Sequence, residues 1–440
     1  MKKVNILDCA VIGFALFGMF FGAGNLIFPP FLGLESQGDW LLGFAGFIMM
    51  GSVLPVTAIL SIGRNGDDAR CLTNHLGVKL SQVILMVTIF CIGPLIAVPR
   101  TAATAFEFSI EPLLGENMEW VSWAFTAVFF LCAIALSIKQ SQIITIIGAV
   151  LAPTMFVCLV FLIIKGALLP GEVPAILADK QYIIREGINA GYQTMDILAG
   201  VIFAASIISG TTARGYTDKN QRFKATAVAS LITLSALAIV YGGLCFLGSR
   251  VTDLYGTDIS RTELLGVIVT RILGSKGNIF LSILVLTACF TAAIGILSSC
   301  AAYMSNLTNG RISYKKVLLL FAGIGFLLSN LGVEAIMAVS VPILGVICPV
   351  LLTIIILGFF TKHIGSDTVY KAGCITAFTF SLLSEISTQF NMGLFVDKLP
   401  FADYSFGWAI PTIIVILLFS VKYKKILPEN TLGKPVPTNN

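Results

Sequence analysis

Charge is what this sequence has least of. Only 12% of its 440 residues are Asp, Glu, Lys or Arg, about half the share usual in soluble domains. Apolar residues make up 57%, more than a soluble core can use, whereas a bilayer absorbs them at about 20 residues per spanning helix. Histidine is nearly absent. The 2 present, His75 and His363, fall in predicted cytoplasmic loops, which argues against an imidazole proton relay or a histidine metal site. The 10 cysteines include no CxxC pair, so metal and redox uses lack their spacing, and we read them as small packing residues. The net charge of +5 is spread over short loops without interleaved aromatics, which argues against nucleic acid as a partner. The basic start MKK precedes an apolar run too long for a signal peptide and lacks a small-residue cleavage site, so a retained first helix is expected.

What is present is a series of long apolar windows. They predict an all-α polytopic membrane protein of about twelve spans, starting near Ala10, Trp40, Leu80, Val121, Ile143, Ile188, Ala225, Ile279, Val317, Ala335, Ala372 and Phe406. Placing the N-terminus inside collects Lys2, Lys3, Arg64, Arg70, Lys139, Arg214, Arg222, Arg311 and Lys362 in cytoplasmic loops. Fewer basic residues, such as Lys180, Arg250, Arg261 and Lys398, fall outside. This asymmetry follows the positive-inside rule and places both termini in the cytoplasm and the chain in the cell membrane. The polar tail PENTLGKPVPTNN is expected to be disordered.

Two spans are anomalous. The first holds FFGAGNLIFPPFLG, Phe20 to Gly33, with helix breakers at Gly22, Gly24, Pro29 and Pro30 and a polar Asn25; the sixth holds Thr194, Asp196 and Gly200 at membrane depth. A repeat of five spans begins its second copy from the opposite face, so the pairing of spans one and six predicts an inverted repeat. The expected units are 1–170, an inverted 187–365, two further helices over 366–423 and a cytoplasmic tail over 424–440.

In hydrocarbon an unsatisfied backbone group costs several kcal/mol, so non-helical backbone there implies a lined cavity. Freed carbonyls and the Asn25 amide oxygen suit a small cation, and a half-helix N-terminus suits a carboxylate that glycines let approach. The substrate so described is a zwitterion, or a carboxylate with a cation beside it. A packing role for Gly18 and Gly22 as a GxxxG face explains those two residues alone. Asp196 marks an ion or substrate path, or else a water-facing interface residue. Arg100 is an outer gate, a carboxylate partner or a snorkelling arginine. Glu385 reads as interfacial, and Thr291, Ser298 and Ser299 as polar points on span eight that can bond to their own helix.

GAGNLIFPP at 22–30, PRTA at 99–102 and YQTMD at 192–196, in this order on about twelve spans, resemble the branched-chain amino acid:cation symporter (LIVCS) family over nearly the whole chain. The resemblance implies the amino acid-polyamine-cation superfamily, the leucine-transporter fold of five-plus-five inverted spans with helices one and six broken, and import of leucine, isoleucine and valine with Na+. It implies that Gly22 and Gly24 face the substrate carboxylate, that Asn25 and Thr194 share one cation site, and that Asp196 lies near the substrate ammonium; Ala23 and Arg100 are further candidates for substrate binding. A second cation site would use carbonyls of Gly18, Phe21 and Ala288 with the Thr291 hydroxyl. The family fold offers two neighbouring hydroxyls there, and this chain has Ala292 after Thr291. H+ coupling through Asp196, another small neutral amino acid, a membrane receptor and a membrane-embedded enzyme are the alternatives. No obligatory protein partner is expected beyond the bilayer and the substrate.

Overall fold

The computed structural model describes residues 4–111, 119–138, 140–169, 179–251 and 259–424. Lys2, Lys3, Lys139 and all of the predicted tail except Lys424 lie outside the described residues. Every regular element among those described is helical. By length and composition eight helical runs suffice to cross a membrane, and Ile6–Phe20 and Ala409–Tyr423 are shorter apolar helices.

The first apolar run is two helices, α1 (Ile6–Phe20) and α2 (Ala23–Ser36). The ladder's last bond from the first half runs from the Phe21 N–H to the Phe17 carbonyl at 2.8 Å, and it resumes with the Leu26 N–H on the Gly22 carbonyl at 3.2 Å. Phe21 leaves the helix at ψ 87° and Gly22 is extended at φ −118°, ψ −158°. The break thus lies at Phe21–Gly22. Pro29 and Pro30, expected to help form it, instead sit inside α2. Their missing N–H groups leave the Asn25 and Leu26 carbonyls without ladder donors, which a bundle tolerates where neighbouring helices cover them.

α3 (Trp40–Ile48) and α4 (Leu54–Asn65) join through a π turn at Met49–Val53. α5 (Val78–Phe90) and α6 (Ala97–Ser109) join through another at Cys91–Leu95, where Gly93 turns non-helical ahead of Pro94. α7 is Glu119–Ser137; α8 (Gln140–Ile146) and α9 (Ala152–Ala167) flank a third π turn at Ile147–Leu151. The sixth predicted span is also two helices, α10 (Lys180–Gln193) and α11 (Asp196–Ala213). α10 begins at Lys180, so the expected unit boundary at 187 cuts through it. Asp179 caps it by accepting from the Gln181 N–H, which fixes the earlier start.

α12 (Lys219–Ser249) follows, then α13 (Arg261–Leu273), a separate helix where a plain loop was expected. Ser260 caps α13 through the Glu263 N–H. α14 (Gly277–Leu307), α15 (Tyr314–Ser329), α16 (Val333–Phe359), α17 (Asp367–Phe390) and α18 (Ala409–Lys424) complete the order.

Packing places the two breaks side by side. α2 packs on α10 and α1 on α11, so the interrupted spans run antiparallel with their gaps at one level. α12 lies along both α1 and α2, while α6 packs on α14. Backbones touch where glycines permit it: a Cβ on Gly33 would fall 1.9 Å from the Cys245 carbonyl, and one on Gly248 1.9 Å from that of Pro30. Outward faces carry exposed apolar side chains such as Leu131, Val157, Leu231 and Ile283, the surface a bilayer requires.

Candidate functional site

The freed backbone at Phe21–Gly22 opens α2 with two glycines and an alanine, so its first N–H groups are presented without large side chains. Gly22 faces α14, where an added Cβ would meet Ala292 at 3.0 Å; at Gly24 it would meet the Arg100 Nη2 at 3.0 Å and the Phe28 ring at 3.1 Å. Glycine at 24 is what lets a guanidinium rest on the first turn of α2.

Arg100 comes from α6, just beyond the kink at Gly93–Pro94, and is only 3% exposed. It does not snorkel. Its Nη1 donates to the Gln193 carbonyl at 2.8 Å and its Nη2 to that of Thr194 at 3.4 Å. These carbonyls end α10, where a helix has orphan acceptors and the negative end of its dipole. The Arg100 Nε is buried and has no hydrogen-bond partner among the described residues.

The break in the sixth span is made differently from the first. Thr194 and Met195 close α10 with short-range bonds to the Gly191 and Tyr192 carbonyls at 3.3 and 3.2 Å. Met195 then adopts φ 64°, a left-handed conformation that a non-glycine residue holds only under constraint. The Thr194 hydroxyl donates to the Gly191 carbonyl at 2.8 Å and accepts from the Asp196 N–H at 3.4 Å.

Asp196 opens α11, 3% exposed, and so is not a water-facing interface residue. Its carboxylate accepts from the Asn25 Nδ2 at 2.6 Å, and it lies at a helix N-terminus, where negative charge is favoured. The same Asn25 amide donates to the Tyr241 hydroxyl. With both amide hydrogens committed, the Asn25 Oδ1 is left as an acceptor. Tyr241, fully buried on α12, packs edge-on to Phe47 at 5.1 Å and stacks near Phe21 at 6.0 Å. Sequence reasoning missed it. Its only signal was a hydroxyl in the middle of an apolar span.

The structure thus brings Gly22, Ala23, Gly24, Asn25, Arg100, Thr194 and Asp196 to one place. The second predicted cluster is distributed over α1 and α14, which are in contact. Its Thr291 hydroxyl donates to the Ala288 carbonyl at 3.0 Å on its own helix, and Phe21 is the residue whose carbonyl leaves the ladder. Gly18 also has a packing role, since a Cβ there would meet Ile147 and Ala152 at 2.8 Å. Ser299 bonds Ser206 at 2.9 Å across α14 and α11.

A cavity lies toward each face. The larger, about 1290 Å³, is lined by Ile27, Phe31, Glu107, Arg261, Glu263 and Glu334 among others. Arg261 rests over the Phe28 and Phe31 rings at 5.4 and 5.0 Å. The smaller, about 100 Å³, touches Arg70, Ser206, Ser299 and Tyr303.

A family model described as branched-chain amino acid transport protein matches residues 5–426. The chain belongs to this family. It is similar to a Staphylococcus aureus (strain bovine RF122) protein named for branched-chain amino acid carriage, 32% identical over 424 residues, covering 93% of this chain and 95% of that one. Among solved structures it is similar to Mhp1, a nucleobase-cation-symport-1 family transporter in a closed conformation with bromovinylhydantoin bound, at a TM-score of 0.61 and 13% identity, covering 96% and 94% of the two chains. A Na+-coupled sialic acid symporter in a substrate-bound outward-open state matches at a TM-score of 0.59 and 11% identity, over 94% and 90%. At those identities the likeness shows the fold, that of transporters of the leucine-transporter type. The family member described here is an integral membrane transporter for amino acids and not an enzyme.

Proposed function

We propose that this family member imports leucine, isoleucine and valine across the cell membrane together with Na+, by alternating access around the paired breaks. The observation that carries this is the convergence of Arg100, the glycine-rich start of α2, Asn25 and Asp196 on one buried level. A zwitterion needs a cationic and an anionic partner. Arg100, with its Nε unengaged and α2's first N–H groups beside it, suits the substrate carboxylate, and Asp196 suits the ammonium. Gly22, Ala23, Gly24 and Thr194 line that position.

The coupling ion is assigned to Na+ because the donors are all oxygens, the chemistry of a hard cation. One site uses the Asn25 Oδ1 and the Thr194 hydroxyl; the second uses the Gly18, Phe21 and Ala288 carbonyls with Thr291. In this reading 1–170 and the unit beginning at Lys180 are inverted repeats, and both termini face the cytoplasm. Labelled leucine uptake into proteoliposomes under separately imposed Na+, H+ and voltage gradients tests it. Uptake driven by an inward Na+ gradient is expected. Leucine-dependent acidification of Na+-free vesicles would instead assign the coupling to H+ through Asp196, and indifference to all three gradients would end the symport reading.

A further inference from the structure

A second carboxylate packed between helices, the half-buried Glu385, lies away from the breaks. Glu385 is near the end of α17, which by sequence put it at the interface. The helix packing sets it against α16: a Cβ on Gly345, in the middle of that helix, would fall 1.8 Å from the Glu385 Oε1 and 2.5 Å from its Cδ. The carboxyl fills the space where residue 345 has no side chain. One turn earlier, Ser381 donates to the Val346 carbonyl at 3.4 Å, fixing the same crossing.

Around this carboxyl is an open groove of about 390 Å³ lined by Pro342, Ile343, Val346, Leu382, Glu385 and Gln389 among others. Its walls are almost wholly apolar. α16 also carries prolines at 342 and 349, so the Ala338 and Gly345 carbonyls receive no ladder N–H. Glu385 forms no ion pair among the described residues.

The charged and titratable groups on the elements packed against α17 are engaged or at the ends. Glu334 is at the start of α16, and Cys348 is buried one turn past Gly345. Asp397 accepts from Ser387, with Lys398 next to it in the Phe395–Lys398 turn. His75 pairs with Asp367 at the opposite end of α17, where Tyr370, Lys371 and Cys374 also lie, and Lys422 is near the end of α18.

An ionised carboxylate here would lie against the α16 backbone and the apolar walls of the groove without a counter-charge among the described residues. An un-ionised acid carries one O–H, which is what an orphan carbonyl lacks. A metal cation would need more oxygens than this carboxyl and its neighbouring carbonyls supply among apolar walls. We propose that Glu385 is a proton-binding site, its carboxyl held un-ionised in the groove and donating to the backbone of α16 at Gly345. Releasing the proton breaks the bond to the α16 backbone and brings water into the groove between α16 and α17. Proton occupancy at Glu385 and the position of α16 are therefore linked. The Val333 N–H at the start of α16 donates to Glu107 of α6 at 3.0 Å, the helix that carries Arg100, so such a movement reaches the breaks. This site is independent of the ion assigned there.

The test uses the full chain in lipid vesicles at neutral pH. Dicyclohexylcarbodiimide, which partitions into hydrocarbon, adds the acid O–H across its N=C bond and rearranges to an N-acylurea with no leaving group. Peptide mass spectrometry should find this adduct at Glu385, while a water-soluble carbodiimide leaves it unmodified. Equal modification by both reagents would place the carboxyl in water and overturn the proposal. Infrared difference spectra of wild type against Glu385→Gln decide the matter if the reagent does not reach the groove. An un-ionised carboxylic acid band present only in wild type is expected, falling about tenfold per pH unit once the acid ionises. Superimposable spectra in that region would show that Glu385 is ionised, and the site would be absent.

Discussion

The two breaks do the same thing to the backbone by opposite means. In the first span, glycine makes the interruption: Gly22 is extended, and Gly24 leaves room for the Arg100 guanidinium and the Phe28 ring on the first turn of α2. In the sixth, side chains hold it: Met195 is left-handed at φ 64°, Thr194 bonds across the gap, and Arg100 takes the carbonyls that end α10. One break is made by the freedom of glycine and the other is braced by side chains. A transport site gains from this division, because binding need organise only one of the two segments while the other keeps its geometry.

Removing the bracing should have the largest effect. Arg100→Gln leaves the Gln193 and Thr194 carbonyls without their charged donor, each such bond being worth about 1.5 to 3 kcal/mol. Leucine uptake should be abolished and the thermal midpoint of the detergent-solubilised protein should drop clearly. Near-normal uptake would show that the sixth-span break supports itself.

The next test sharpens the contrast from the glycine side. Asn25→Ala removes the amide that joins Asp196 to Tyr241 and the oxygen assigned to the cation. Half-maximal Na+ for uptake should rise by the equivalent of about 1.5 to 3 kcal/mol. Tyr241→Phe keeps the packing on Phe47 and Phe21 and removes only the hydroxyl, so its shift should be about 0.5 to 1.5 kcal/mol. If Tyr241→Phe matches Asn25→Ala, the amide acts through its bond to the tyrosine and not as a ligand.

The smallest expected change comes from making the sixth-span break resemble the first. Met195→Gly relieves a left-handed residue, which is worth about 1 to 2 kcal/mol, but restores freedom to the unfolded chain, which costs about 0.4 to 1 kcal/mol. Stability should move by about 1 kcal/mol or less with leucine affinity intact. A large loss of affinity would mean that the Met195 side chain itself shapes the site.

Both breaks were legible in the sequence because their cause is local. Glycines, an asparagine and an aspartate stand out in an apolar run whatever packs around it. The prolines misled because a proline's effect depends on the helices packed around it, and Gly248 of α12, whose backbone meets the Pro30 carbonyl, is more than two hundred positions away. Arg100 was legible as a charge, but its partners are not: nothing near PRTA says that its nitrogens meet Gln193 and Thr194. Tyr241 was invisible for the same reason, and so was the contact of Glu385 with Gly345 of α16. Residues that make a site by changing the backbone can be found by reading along the chain. Residues that make it by reaching across need the fold.

Consider finally α12 as a mechanical part. It is one continuous helix of 31 residues, and it is fastened to both halves of the interrupted first span. On α1, a Cβ on Gly13 would fall 2.8 Å from the Ala229 carbonyl, and Thr233 donates to the Gly13 carbonyl at 2.8 Å. On α2, Gly33 and Gly248 bring the two backbones into contact. α12 is a splint across the fracture. While these fastenings hold, α1 cannot swing on Phe21–Gly22 as a door on its hinge. The two halves and their splint must rock as one lever, and the sliding surfaces have to lie elsewhere in the bundle.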